Sequence, residues 1–135
     1  MNVYCVPVEA IDPIWSRVQS FFEKALSKHD AEYSLSDVKQ ALLDGKWKLF
    51  AFFNDKEMLD GAAVISFIPY PKSHVAFVTC IGGKTLINKE YYEKFTELLK
   101  GYGADRLQGY VGNSVERLCR RIGMAHKTSV IETRL

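Results

Sequence analysis

Apolar positions along the chain recur with two spacings, every second residue in some stretches and every third or fourth in others, and the changes of spacing mark the elements. Residues 3–8 are short and rich in β-branched and aromatic side chains, which predicts a first strand. Asp12-Pro13 then opens a helix, with Asp12 as N-cap and Pro13 at the first helical position. Its apolar side is Ile14, Val18, Phe21, Phe22, Ala25 and Leu26, and Lys28 and His29 bring positive charge to its end. Ser34 and Asp37 have capping-box spacing and start a shorter helix through Val38, Ala41 and Leu42, closed by Gly45. Residues 47–53, 59–70 and 73–81 read as three strands. The first two are joined by a polar turn at Asn54-Asp55-Lys56-Glu57, and Pro69 and Pro71 end the second. The third contains the run VAFVTCI, apolar almost throughout, which predicts a central strand.

Gly82-Gly83-Lys84-Thr85 breaks the pattern. Asn88 caps the next helix, whose apolar side is Tyr91, Tyr92, Phe95, Leu98 and Leu99 and which stops at Gly101; Ile87 and Tyr92 have the spacing of a hydrophobic staple. Residues 106–111 are another short strand. A helix follows from Gly112-Asn113 with Val115, Leu118, Cys119 and Ile122 inward and Gly123 near its end, and residues 126–134 alternate as a last strand. The order is β-α-α-β-β-β-α-β-α-β. An antiparallel meander followed by crossovers gives an α/β (α+β) fold, one mixed sheet with helices on both faces.

At 135 residues, with no linker or repeat, the expectation is one domain over 1–135. An aromatic share of 13% with only 9 Gly and 4 Pro excludes a disordered or collagenous chain. The formal charge of +2 makes nucleic acid an unlikely partner. Cys5, Cys80 and Cys119 are odd in number and far apart, which indicates free thiols in a reducing compartment. His29, His74 and His126 are scattered and no Cys/His cluster occurs, so no metal is expected. The first residues lack a basic leader, and no stretch approaches the roughly eighteen apolar residues of a membrane span, so a cytoplasmic protein is expected.

The element order resembles that of the GCN5-related N-acetyltransferase (GNAT) superfamily over nearly the whole chain. Residues 113–124 (NSVERLCRRIGM) are similar to the family's run of Asn, helix, Tyr and then Gly-Phe. Gly61 matches the Gly usual on its third strand. The resemblance implies a GNAT-like domain that binds acetyl-CoA between its fourth and fifth strands. It assigns cofactor contacts to Thr79, Ile81, Gly82, Gly83, Lys84, Thr85 and Asn113, with Asn113 also capping the last helix. The family's general-acid Tyr falls at Cys119, and Tyr110 is the alternative proton donor. For Cys119 the other reading is a small buried hydrophobe on the stripe of Val115, Leu118 and Ile122.

Departures from the family pattern bear on chemistry. Its pyrophosphate loop reads Gln/Arg-x-x-Gly-x-Gly/Ala, glycines letting backbone N–H groups converge on phosphate ahead of a helix N-terminus. Here the segment is CIGGKTLIN over residues 80–88: Gly82-Gly83 is either a remnant of that loop or a plain turn, and Leu86 and Ile87 stand where small residues are expected. The third meander strand offers no carboxylate as general base; His74 lies at its start, and Glu57 and Asp60 flank the hairpin. Arg117, Arg120 and Arg121 share one helix face, which is either solvated or a surface for a protein partner or self-association.

Two functions follow. One is an acyl-CoA-dependent N-acetyltransferase with an eroded pyrophosphate loop. The other is a catalytically inactive GNAT-fold structural or interaction protein. The last third of the chain also resembles small GNAT-like proteins of tailed bacteriophages, including internal virion proteins, which implies the host cytoplasm or the virion as its place.

Overall fold

Residues 47–81 supply the centre of one sheet. A computed structural model of the chain describes residues 1–27, 32–85 and 88–135, without the side chain of Asn113. Its strands are β1 (Asn2–Val6), β2 (Lys48–Phe53), β3 (Leu59–Pro69), β4 (His74–Gly83) and β5 (Arg106–Gly109), lying side by side in that order. β1 to β4 are mutually antiparallel, and β5 joins β4 in parallel. The helices are α1 (Ile11–Ser27), α2 (Leu35–Leu43), α3 (Lys89–Gly101) and α4 (Asn113–Arg121).

Helices cover both faces of the sheet, as expected. On one, Val18 and Phe22 of α1 and Val38 and Leu42 of α2 pack on Leu49, Ala62, Val64 and Cys80. On the other, Tyr91, Phe95 and Leu99 of α3 pack on Phe50, Phe52, Ala63, Ile65 and Ala76. Phe52 meets both Tyr91 and Phe95 edge-on, at ring separations of 5.5 and 5.3 Å. Two-sided cover explains why β3 carries four buried apolar residues in a row, Ala62, Ala63, Val64 and Ile65. No helix among the described residues is long and apolar enough to cross a membrane.

Local signals differ from expectation at three places. A 3-10 turn over Val8–Ala10 runs straight into α1, so Asp12 lies inside the first turn and does not cap it. Its carboxylate instead meets Lys39 of α2 at 2.8 Å. Gly112 is the N-cap of α4, which has no side-chain capping hydrogen bond, and Asn113 is its first residue. Residues 126–134 form no strand, and Val130 and Ile131 are exposed. Those two apolar neighbours point to opposite sides of an extended chain, so the segment has no single apolar face to lay on its own domain. The expectations for Lys28, His29, Leu86 and Ile87 lie outside the described residues.

Candidate functional site

β4 and β5 stay together for only four residue pairs, from Val75 with Arg106 to Val78 with Gly109. Beyond them β5 ends, and β4 runs on to Gly83 held by β3 alone. The parting coincides with a bulge. Val64 pairs with Cys80 but Ile65 pairs with Val78, so Thr79 is the extra residue. The bulge shifts the alternation of side chains: Val78 and Ile81 both pack toward α3, while Cys80 joins the core under α1 and α2. Residues 79–83 thus have no strand beside them on the side that β5 has left, and this parting is the notch of the sheet.

At the end of this notch the chain is closely packed on itself. A methyl group on Gly82 would come within 2.4 Å of the Phe21 carbonyl oxygen of α1, and one on Gly83 within 2.2 Å of the Asp60 carbonyl oxygen. Gly83 also has φ +83°, a conformation that favours glycine. The Lys84 N–H donates to the Asp60 carbonyl at 3.1 Å, and Thr85 is buried. Asp60 is itself the extra residue of a second bulge, since Phe52 pairs with Gly61 and Phe53 with Leu59. Its carboxylate accepts hydrogen bonds from the Tyr91 hydroxyl at 2.8 Å and from Asn54 Nδ2 at 3.3 Å. Burial first, then this bond and the charges of Asp60, Asp55 and Glu90, push the Tyr91 hydroxyl well above the usual phenol range. At the start of α3, Asn88 Oδ1 already accepts the Tyr91 N–H at 3.0 Å.

The candidate proton donors are separated by exposure. Cys119 is 7% exposed, and burial followed by the field of Glu116 raises its thiol pKa. The Tyr92 hydroxyl of α3 is pushed up by burial and then by the field of Cys119. The sequence shows Tyr92 only as one more residue on the apolar side of α3, with no mark of this influence. Tyr110, 76% exposed, lies just past β5 with its ring edge-on to Phe77 at 5.0 Å. The side chain of Asn113 is outside the described residues.

His74 opens β4 at the end remote from the notch, five residues before Thr79 and thus about 16 Å away at the usual strand rise. Its backbone N–H donates to Asp105 Oδ2 at 3.3 Å and its carbonyl accepts the Asp105 N–H at 2.9 Å, a clasp that aligns β5 beside β4. Glu57 lies in the hairpin turn with φ 59°. Arg117, Arg120 and Arg121 are exposed, and Arg120 pairs with Glu116 at 2.7 Å. A groove of about 610 Å³ between β1 and α3 and a cavity of about 200 Å³ lined by Pro7, Leu42 and Tyr102 both lie away from the notch. No group of three or more His, Cys, Asp or Glu placed to hold a metal occurs among the described residues.

No family model and no curated protein matches the sequence. Solved structures do match the fold. A ribosomal-protein-alanine N-acetyltransferase from Brucella melitensis biovar Abortus 2308 superposes with a TM-score of 0.69 at 13% identity, covering 100% of both chains. An aminoglycoside acetyltransferase from an uncultured soil metagenomic sample, in complex with sisomicin, gives 0.70 at 8% identity over 99% of this chain and 94% of that one. A probable acetyltransferase gives 0.70 at 11% identity over 100% and 97%. At such identities the likeness is one of architecture. Two helices after the first strand, an antiparallel meander, a bulged fourth strand and a parallel fifth that parts from it make this chain a divergent protein of the GNAT fold.

Proposed function

We propose that this GNAT-fold chain does not transfer acyl groups and serves as a structural or interaction protein. The observation that carries the reading is the packed turn at Gly82-Gly83-Lys84. Its glycines are accounted for by the nearness of the chain's own carbonyls at Phe21 and Asp60, and the Lys84 N–H is engaged by Asp60. A pyrophosphate needs several convergent free N–H groups, and among the described residues of this turn the Lys84 N–H is already taken, which counts against that part of an acyl-CoA binding here. Glu90 lies in the first turn of α3 and Asp60 accepts the Tyr91 hydroxyl from that turn, so a phosphate there would meet like charge. Cys119, buried, suits a packing role. The exposed arginines of α4 give such a module a cationic face for an acidic partner.

A second reading, an acyl-CoA-dependent N-acetyltransferase, is favoured by the notch. Residues 79–81 form a strand edge without a strand partner, where an extended arm docks through main-chain hydrogen bonds. Calorimetric titration of the full chain with acetyl-CoA separates the two. The interaction protein gives no saturable heat up to about 1 mM ligand, equivalent to binding weaker than about 4 kcal/mol. Micromolar binding at one site per chain would overturn it in favour of the enzyme.

A further inference from the structure

We infer that the free edge of β1 takes an extended segment of a partner protein, added as a further strand with lysine or arginine side chains toward α3. β1 closes the sheet on the side away from β5 and, among the described residues, pairs with β2 alone. Its outer N–H and C=O groups therefore form an open row suited to another strand. Sheet edges are ordinarily blunted by a charged residue, a proline or a bulge within the strand, or by extreme shortness. The run NVYCV of β1 has none of these. Its five residues are uncharged, and they pair with β2 in unbroken register from Asn2 with Phe53 to Val6 with Leu49. Tyr4 stands on this edge 54% exposed.

The surroundings of the edge define what fits it. Val3 and Cys5 pack toward the α3 core, so Asn2, Tyr4 and Val6 face the other way. The groove of about 610 Å³ lies between β1 and α3, and Tyr102 in its lining also borders the cavity of about 200 Å³ beside Cys5, Val6 and Pro7. The two hollows thus follow β1 from Asn2 to its end. The groove has partly buried Leu98 and Tyr102 as its apolar wall and exposed Glu93 and Glu97 as its rim. Lys94, the cation in its lining, is turned to the Met1 carbonyl and to Glu90. Glu93 and Glu97 have only Lys89 and Lys100 of their own helix near them among the described residues, at 4.0 and 3.6 Å, and such exposed pairs hold little energy. A lysine or arginine entering from the edge lays its methylenes on Leu98 and Tyr102 and carries its charge to the two carboxylates. On the opposite face Tyr4 lies against Phe53, which Arg17 covers at 6.0 Å, so apolar residues suit the alternate positions. A second copy fits this edge less well. Antiparallel pairing of β1 with its own copy is two-fold and sets both α3 helices on one face, with their acidic rims toward each other. The edge lies across the sheet from the notch, so the inference holds whether or not an acyl carrier binds there.

Titration of the full chain with a capped peptide of about eight residues alternating lysine and valine, long enough to span β1, tests it. Saturable binding in the micromolar range is expected at one site per chain, with slowed hydrogen exchange at the amides of β1. The same peptide N-methylated along its backbone cannot donate ladder bonds and is expected to bind at least about tenfold more weakly. Glu93→Lys together with Glu97→Lys is expected to weaken the parent peptide about tenfold with an unchanged circular dichroism spectrum. A glutamate–valine peptide should bind that variant and not the wild type. Absence of saturable binding of the lysine–valine peptide up to about 1 mM overturns the inference. So does an N-methylated peptide that binds equally well, since the contact is then one of charge alone. Protection of β1 that rises with the concentration of the chain itself, with no peptide present, gives the edge to a second copy and overturns it too.

Discussion

Gly82 has no room for a side chain, because the backbone of α1 crosses directly over it at Phe21. Gly82→Ala is therefore expected to cost about 2 kcal/mol, the scale of overpacking in a rigid core, measured as a lowered urea midpoint. Gly101→Ala is the control: a methyl there meets nothing within 4 Å, and in the last turn of α3 it is expected to be neutral or to stabilise by a few tenths of a kcal/mol. If both variants behave alike, the close approach of α1 to β4 is wrong. The sequence marks Gly82 as special only by type. That the constraint comes from Phe21, 61 residues earlier, depends on how α1 lies on the sheet. Cys119 is a like case: the stripe with Leu118 and Ile122 foretells burial, while its bearing on the Tyr92 hydroxyl depends on where the folded chain sets α4 relative to α3.

At the scale of elements, α2 has the best-defined start. Ser34 Oγ accepts the Asp37 N–H at 3.2 Å and Asp37 Oδ2 accepts the Ser34 N–H at 2.9 Å. The bonds from Ser34 hold the Asp37 carboxyl below its usual pKa, so its contribution is present above the unfolded-state value and is lost as pH falls through the folded one. The urea midpoint of wild type is expected to exceed that of Asp37→Asn near neutrality, and the gap should close between about pH 5 and pH 2. Ser34→Ala should cost about 1 kcal/mol at neutral pH. A gap independent of pH would remove the carboxylate from the cap. Capping boxes are legible because they are made within four residues. The start of α1 was less so, since a preceding 3-10 turn can hand on directly to a helix and leave Asp12 free for Lys39.

For the whole molecule, order should fall from the centre of the sheet toward its β5 edge. In hydrogen exchange, amides of β3, flanked by β2 and β4 and covered on both faces, are expected to be the slowest. Amides of residues 126–134, exposed and outside the sheet, should exchange fastest; protection there equal to that of β3 would mean that the segment is paired. Periodicity and turn residues were sufficient to place the helices and the meander, because each signal acts over a few residues; the run VAFVTCI pointed to a central strand, but β4 lies next to the edge strand and the middle place belongs to β3. The notch could not be read in the same way: the bulge at Thr79 and the end of β5 at Gly109 arise from pairing between distant strands. The same holds for the space beside Gly82, filled by carbonyls from α1 and β3, and for residues 126–134, whose alternation gives the capacity to pair but not the partner. Short-range pattern determined the parts of this protein, and long-range packing alone decided which of their edges and turns remain open.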